Sequence, residues 1–245
     1  ALTDKEREIF KTSKERIYSI SKLAFDNNVS LFVDAEESWI QQPLDELTFE
    51  LMKEFNKEKP IIYNTVQLYR KDRLQFLKDA VAQAKQDGFI YAAKLVRGAY
   101  MEKEEMRAKQ LGYENPIQVS KANTDKDYND ALRFAIKNIE RVAVCVATHN
   151  EESTLLATQL MQQKNLPNNH PHVHFSQLLG MSDHISFNIA KENYNSSKYM
   201  PYGPVKDVIP YLIRRAQENT SVAGQMGREL KLLKDEVKRR KLFVL

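Results

Sequence analysis

The 245-residue sequence has one cysteine and no apolar run near the roughly 20 residues that a membrane-spanning helix needs. It also lacks glycine loops of the Gly-x-Gly-x-x-Gly or Walker type, so a dinucleotide would have to be held by basic side chains and strand-end loops. A lone cysteine excludes an internal disulfide. Cys145 sits in Arg141-Val-Ala-Val-Cys-Val-Ala147, where it reads as a small buried hydrophobe in a reducing compartment rather than a nucleophile. Low-complexity tracts, internal repeats and Gly/Ser linkers are missing as well, and one domain over residues 1–245 is the expectation. The net charge of +4 is modest, and basic residues are interleaved with acids, which excludes the footprint of a nucleic-acid protein. The basic excess gathers in a C-terminal helix expected at about 222–245, which is either a solvated face or a peripheral contact with an anionic membrane surface. His170-Pro-His172-Val-His174 shares one face, yet no acidic or cysteine residue has matching spacing, and no metal site is expected.

What the chain does have is a regular beat. Apolar runs ending in polar or glycine turns begin at Leu31, Ile61, Ala92, Val142, Val173 and Lys198, and each reads as a strand with its following loop. Segments with apolar residues three and four apart lie between them, at Asp45 to Lys57, Lys71 to Asp87, Asp125 to Glu140 and Glu152 to Gln163, and a further helix is expected from Thr3 to Asn28. The alternation predicts an α/β fold with parallel strands, as in a (β/α)8 TIM-like barrel or a doubly wound sheet. The connection from Met101 to Thr124 is longer than the others. It is either a cover for a ligand or a solvated extra helix.

The chemistry should lie where the strands end. Asp34, Gln67, Lys94, Arg97, Tyr100, Thr148, His149 and Asn150 all fall at strand C-termini, where parallel α/β sheets bind ligands. Asp34 has a plainer reading as a helix N-cap, with Glu37 completing a capping box. Tyr199-Met-Pro-Tyr-Gly203 and Tyr211-Leu-Ile-Arg214-Arg215-Ala-Gln-Glu218-Asn219 place two guanidiniums beside aromatic rings, an arrangement suited to a small carboxylate, although a solvated helix face would show the same residues. Lys94 alone would also suit a Schiff-base lyase of the aldolase kind with Asp34 as proton shuttle, and an incomplete barrel that binds a small carboxylic acid or a partner without turnover is a third reading.

Five strings in this order, Asp34-Ala-Glu-Glu37, Leu95-Val-Arg-Gly-Ala-Tyr100, Ala147-Thr-His-Asn150, Leu178-Leu-Gly-Met181 and Tyr211-x-x-Arg214-Arg215-x-x-Glu218-Asn219, resemble the proline dehydrogenase family from about residue 5 to residue 230. The resemblance implies an FAD-dependent (β/α)8 barrel that oxidises L-proline to Δ1-pyrroline-5-carboxylate, by hydride transfer from proline C5 to flavin N5, and passes the electrons to membrane quinone. It implies that Arg214 and Arg215 bind the proline carboxylate, that Tyr199, Tyr211, Leu178 and Tyr100 surround the ring, that Asp34 is the pocket's acid, and that Glu218 orients the arginines. For the cofactor it implies Gln67 and Lys94 near the isoalloxazine, Arg97, Gly98, Ala99 and Lys121 around the ribityl and pyrophosphate, and Thr148, His149 and Asn150 on the adenosine side. Tyr199 is expected to favour proline over hydroxyproline. The location implied is the cytoplasmic face of a bacterial plasma membrane or, alternatively, the mitochondrial inner membrane or matrix. The six strands match the third to eighth of the family barrel, so the first two and a strand-borne lysine have no counterpart, and the chain reads as the later part of a longer protein.

Overall fold

The computed structural model describes residues 3–240 apart from 222; the side chains at 214, 216–221, 223–229 and 233 also lie outside the described residues. In chain order the elements are α1 (Asp4–Asp26), β1 (Leu31–Val33), α2 (Ser38–Phe55), β2 (Ile62–Gln67), α3 (Arg73–Asp87) and β3 (Tyr91–Val96). There follow α4 (Met101–Leu111), α5 (Lys121–Lys137), β4 (Val142–Ala147), α6 (Glu151–Gln163), β5 (Val173–Leu178), α7 (Asp183–Lys191), β6 (Ser196–Tyr199), α8 (Val205–Ser221) and α9 (Ala223–Arg239). The six strands lie in the sheet in sequence order. The pairs from β1 to β5 are parallel, and Phe175 N–H to Asn195 O and Leu179 N–H to Tyr199 O continue the same direction into β6. The α/β class read from the strand-helix alternation is therefore what the chain adopts.

Several expected boundaries move, among them that of α5, which starts at Lys121, four residues ahead of the expected Asp125. The helix after β1 starts at Ser38 rather than Asp45, so Asp34 lies four residues outside it and the capping box with Glu37 does not form. The last strand runs over Ser196–Tyr199, ahead of the expected start at Lys198. The opening helix agrees closely, because Thr3 and Glu6 form a capping box of their own. The long connection after β3 contains α4, and the basic tail is helical as α9 through Arg239.

By contacts the chain forms two compact units. One holds the chain up to Gln177 with Asp183–Ser197, and the other holds Leu178–Ser182 with the chain from Lys198 on. In the first, strand alternation separates two faces. Val66, Leu95, Val144, Val146 and Phe175 pack against Leu77, Leu132, Ala135 and Met161 of the helices in the main core. On the other face, Tyr63, Ile90, Ala92 and Ala143 form a second small cluster, and the register Thr65–Lys94–Cys145–His174 lays a polar row just beyond it. Burial pushes the Cys145 thiol up to about 12, so it is an inert part of that face.

Side chains complete what strands leave open. Asn56, the buried C-cap of α2, donates to Ile62 O and Ile90 O, and its Oδ1 accepts from the N–H groups of Ile61 and Ile62. One amide thus stitches the starts of β2 and β3 together. Asp45, 7% exposed, accepts from Gln41 and Asn64 at 2.9 Å and from Arg73 Nη1 at 2.6 Å.

Candidate functional site

In the first unit the polar ends of β1 to β4 come together as the register requires. Lys94 donates to Asp34 in an ion pair, and its ammonium lies 5.5 Å from the centre of the Phe32 ring. Lys94 is thus engaged with a carboxylate instead of standing as the isolated amine that a Schiff-base lyase needs. Gln67, 3% exposed at the end of β2, has a buried Oε1 with no hydrogen-bond partner among the described residues, and so does Thr65, in its Oγ1, two residues earlier on the same face. Each such atom costs about 1–3 kcal/mol, and a ligand bringing donors would offset it.

Arg97, Thr148 and Asn150 form one network. Arg97 donates from Nε to Asp125 at 2.7 Å, from Nη1 to Thr148 Oγ1 at 2.7 Å and from Nη2 to Ser153 Oγ at 3.1 Å, while its guanidinium lies over the Tyr128 ring at 4.4 Å. Thr148 Oγ1 also accepts the Asn150 N–H, and Asn150 caps α6 by accepting from the Ser153 N–H at 2.8 Å. Lys121, at the first position of α5, pairs with the same Asp125 at 2.5 Å. Desolvation works against the Asp125 charge, but Lys121 and then Arg97 hold its carboxyl below the usual range. The pairing therefore persists at neutral pH and through the ordinary carboxylate range, and is lost only at more acid pH. Two cations share one carboxylate beside the N-termini of α5 and α6, which leaves net positive charge suited to a phosphate. His149, between Thr148 and Asn150 in the chain, is half-buried.

Gly98 and its neighbours are placed by backbone constraint. Gly98 has φ of 139°, and a Cβ there would overlap the Tyr69 ring. Gly98→Ala is expected to cost about 2–4 kcal/mol from strain and overpacking together, and Tyr69→Leu in the same chain should recover only the packing part. Equilibrium urea unfolding of the wild type and the two variants checks this, and an unchanged midpoint for Gly98→Ala would refute it. Ala99 links this glycine to Tyr100, whose hydroxyl donates to Glu36 at 2.6 Å.

In the second unit Tyr199 and Tyr211 lie with ring centres 5.6 Å apart, and the Arg215 guanidinium sits 5.1 Å from the Tyr211 ring. Leu178 O accepts from Lys198, which also donates to Met181 O. The Arg214 and Glu218 side chains lie outside the described residues. Three expected aromatic and cationic members are thus brought together here, and the strand-end members in the first unit.

Sequence reasoning missed Glu36, Ser38, Glu104, Asp125 and Ser153. Glu104 is hidden in the charged run Glu102-Lys-Glu-Glu105, and its signal was the helical spacing that it shares with Tyr100, Lys103 and Arg107. The histidines at 170, 172 and 174 each bond a nearby backbone group, and among the described residues no group of three or more His, Cys, Asp and Glu is arranged for a metal. Nor is any described helix long and apolar enough to cross a membrane.

The family model for proline dehydrogenase matches residues 3–228. The chain belongs to the proline dehydrogenase family. It is 41% identical over 229 residues to the mitochondrial proline dehydrogenase 1 of Homo sapiens, covering 92% of this chain and 38% of that protein. It is 38% identical over 246 residues to the Drosophila melanogaster counterpart, with coverage of 96% and 36%. To the hydroxyproline dehydrogenase of Xenopus laevis it is 40% identical over 243 residues, with coverage of 98% and 52%. The chain therefore spans between about a third and a half of these relatives. Among solved structures, proline utilization A from Bdellovibrio bacteriovorus, inactivated by N-propargylglycine, matches with a TM-score of 0.80 at 27% identity, covering 87% of this chain and 22% of that one. The six parallel strands thus follow the TIM-like barrel of the proline dehydrogenase family.

Proposed function

We propose that this chain carries the larger part of the active site of an enzyme that oxidises L-proline to Δ1-pyrroline-5-carboxylate, with FAD as cofactor and quinone as electron acceptor. The observation that carries the reading is the buried, unpartnered Oε1 of Gln67 among the polar strand ends, in a chain of this family. Those residues fit a flavin dinucleotide. An isoalloxazine ring brings an N–H donor for Gln67, and Arg97 with Lys121 offers the positive charge that a pyrophosphate requires in a chain with no glycine loop. When bound, FAD supplies the acceptor for the hydride leaving proline C5.

The chain's own residues bind and orient. Arg215 over Tyr211, with Tyr199 beside it, forms a cation-aromatic group suited to a carboxylate attached to a small saturated ring. Arg214, its neighbour in sequence, is assigned the same carboxylate, Glu218 the support of the pair, and Leu178 and Tyr100 the ring walls. Asp34 is assigned the pocket's acid, balanced by Lys94. Ala99, Thr148, His149 and Asn150 are assigned the cofactor's ribityl and adenosine ends. The relatives named mitochondrial support a mitochondrial location, and the bacterial plasma membrane has no such support. Peripheral membrane contact through α9 stays with this proposal.

The test is an absorbance spectrum of the purified protein between about 300 and 550 nm, before and after anaerobic L-proline. Flavin bands that bleach are expected, with the rate rising as pH increases through the neutral to alkaline range, because the donor amine must lose its proton before hydride leaves. A colourless protein that FAD does not reconstitute would overturn the reading. The Xenopus relative's name makes substrate choice a real question. With Tyr199 in place, proline is expected to be preferred over hydroxyproline by about 1–3 kcal/mol in kcat/KM, and the reverse preference would show that Tyr199 is not the discriminating ring.

A further inference from the structure

Four side chains of α4 and its N-cap meet four consecutive residues, Glu36 and Glu37 at the end of the turn after β1 and Ser38 and Trp39 at the start of α2. Tyr100 donates to Glu36 at 2.6 Å, Lys103 pairs with Glu37 at 2.7 Å, Glu104 accepts from Ser38, and the Arg107 guanidinium covers the Trp39 ring at 4.5 Å. Residues 100, 103, 104 and 107 have the spacing of one helix face, so that single face of α4 meets the entry into α2 and its first two helical residues.

Glu104 is the centre of this contact. It has no exposed surface, and a carboxylate so placed is costly unless both oxygens are satisfied. They are, because Oε1 accepts the Ser38 N–H and Oε2 accepts the Ser38 hydroxyl, each at 2.6 Å. Ser38 is the first residue of α2, whose own cap position, Glu37, makes no side-chain capping bond. A carboxylate from another helix thus satisfies a terminal N–H of α2 and faces the positive end of its dipole. Asp34 lies four residues before this anchor and β1 ends one residue before Asp34, so the segment carrying Asp34 is pinned by the sheet on one side and by Glu104 on the other.

We propose that Glu104 is a positioning residue, which fastens α4 to the N-terminus of α2 and so keeps Asp34, in the turn just before it, in its place against Lys94 for proline binding. This rests on the assignment of Asp34 to the substrate pocket, and the experiment separates the two. Glu104→Gln keeps the shape but turns an NH2 group toward a Ser38 donor, and Ser38→Ala removes one donor and leaves the other.

In the purified, FAD-loaded protein without substrate, amide hydrogen exchange over residues 36–41 should speed up by about tenfold or more in Glu104→Gln, the factor carried by a hydrogen bond to a charged group, while β2 to β4 keep their protection. KM for proline should rise by a similar factor, with kcat within about twofold. Ser38→Ala should show a smaller change in both readouts and add little on top of Glu104→Gln. Unchanged exchange in a folded variant would overturn the latch, and faster exchange with an unchanged KM would overturn its positioning role. If Glu104→Gln does not fold, Ser38→Ala is measured by the same exchange and the same KM, and an unchanged value of either overturns the same point. A wild-type protein that proline does not bleach would remove the proposed function while leaving the exchange result to decide the latch.

Discussion

Arg215→Met should lower kcat/KM for L-proline by roughly a hundredfold or more, with the flavin content unchanged. Truncating one partner of a desolvated, hydrogen-bonded charge pair costs about 2–5 kcal/mol, much of it from leaving the other charge unpaired. Here that other charge would be the substrate carboxylate, and the half-buried guanidinium is held 5.1 Å from the Tyr211 ring, which keeps its planar fork at one orientation. Arg215→Lys retains the charge but loses the fork and the stacking, so a loss of about tenfold or more is expected even from this milder change. Steady-state rates with L-proline, read together with the FAD-to-protein ratio, distinguish a binding defect from loss of cofactor. A variant with wild-type KM and kcat would take Arg215 out of the substrate pocket.

Asp45→Ala should destabilise the fold by about 3–5 kcal/mol, the range found when one member of a buried pair is removed. The aspartate collects Gln41, Asn64 and Arg73, and its deletion would leave Arg73, 8% exposed, with the partly exposed Asp72 as its one counterion among the described residues. Replacing both Asp45 and Arg73 by apolar residues of similar volume should cost much less than the single change, because no charge is then stranded. Chemical denaturation of the two variants measures the difference, and a double variant as unstable as Asp45→Ala would show that the pair itself, rather than the uncompensated charge, stabilises the chain. The network lies on the helix-covered side of the sheet, so the effect should appear in stability before it appears in any rate.

Much of the molecule was legible because strand and helix periodicities are local properties. The parallel order of the strands, the placement of Gln67, Lys94, Arg97 and Thr148 at their C-terminal ends, and the family likeness all follow from residues a few positions apart. Misreadings arose where a distant residue decided a local question. Asp34 and Glu37 have the spacing of a capping box, yet α2 starts at Ser38 because Glu104, 66 positions away, supplies the carboxylate. The run from Glu102 to Arg107 looks like a solvated helix, since helical spacing alone does not tell a charged face that meets water from one that meets a turn. The need for glycine at position 98 is likewise set from a distance, since the ring that forbids a side chain there belongs to Tyr69 on the neighbouring strand's loop.

By itself the sequence determined the α/β class, the six-strand rhythm, the absence of a disulfide and the set of residue types available for chemistry. These depend on composition and on periods of 2 and 3.6 residues, which every short window carries. Only the tertiary structure decided which charges are already spent inside the protein, such as Arg97 on Asp125, Thr148 and Ser153, and which polar atoms stay buried without a partner, such as Gln67 Oε1. The physical reason is that hydrogen bonds and desolvation act between groups that the chain separates by tens of residues, and only the register of the parallel sheet brings them within about 3 Å of one another.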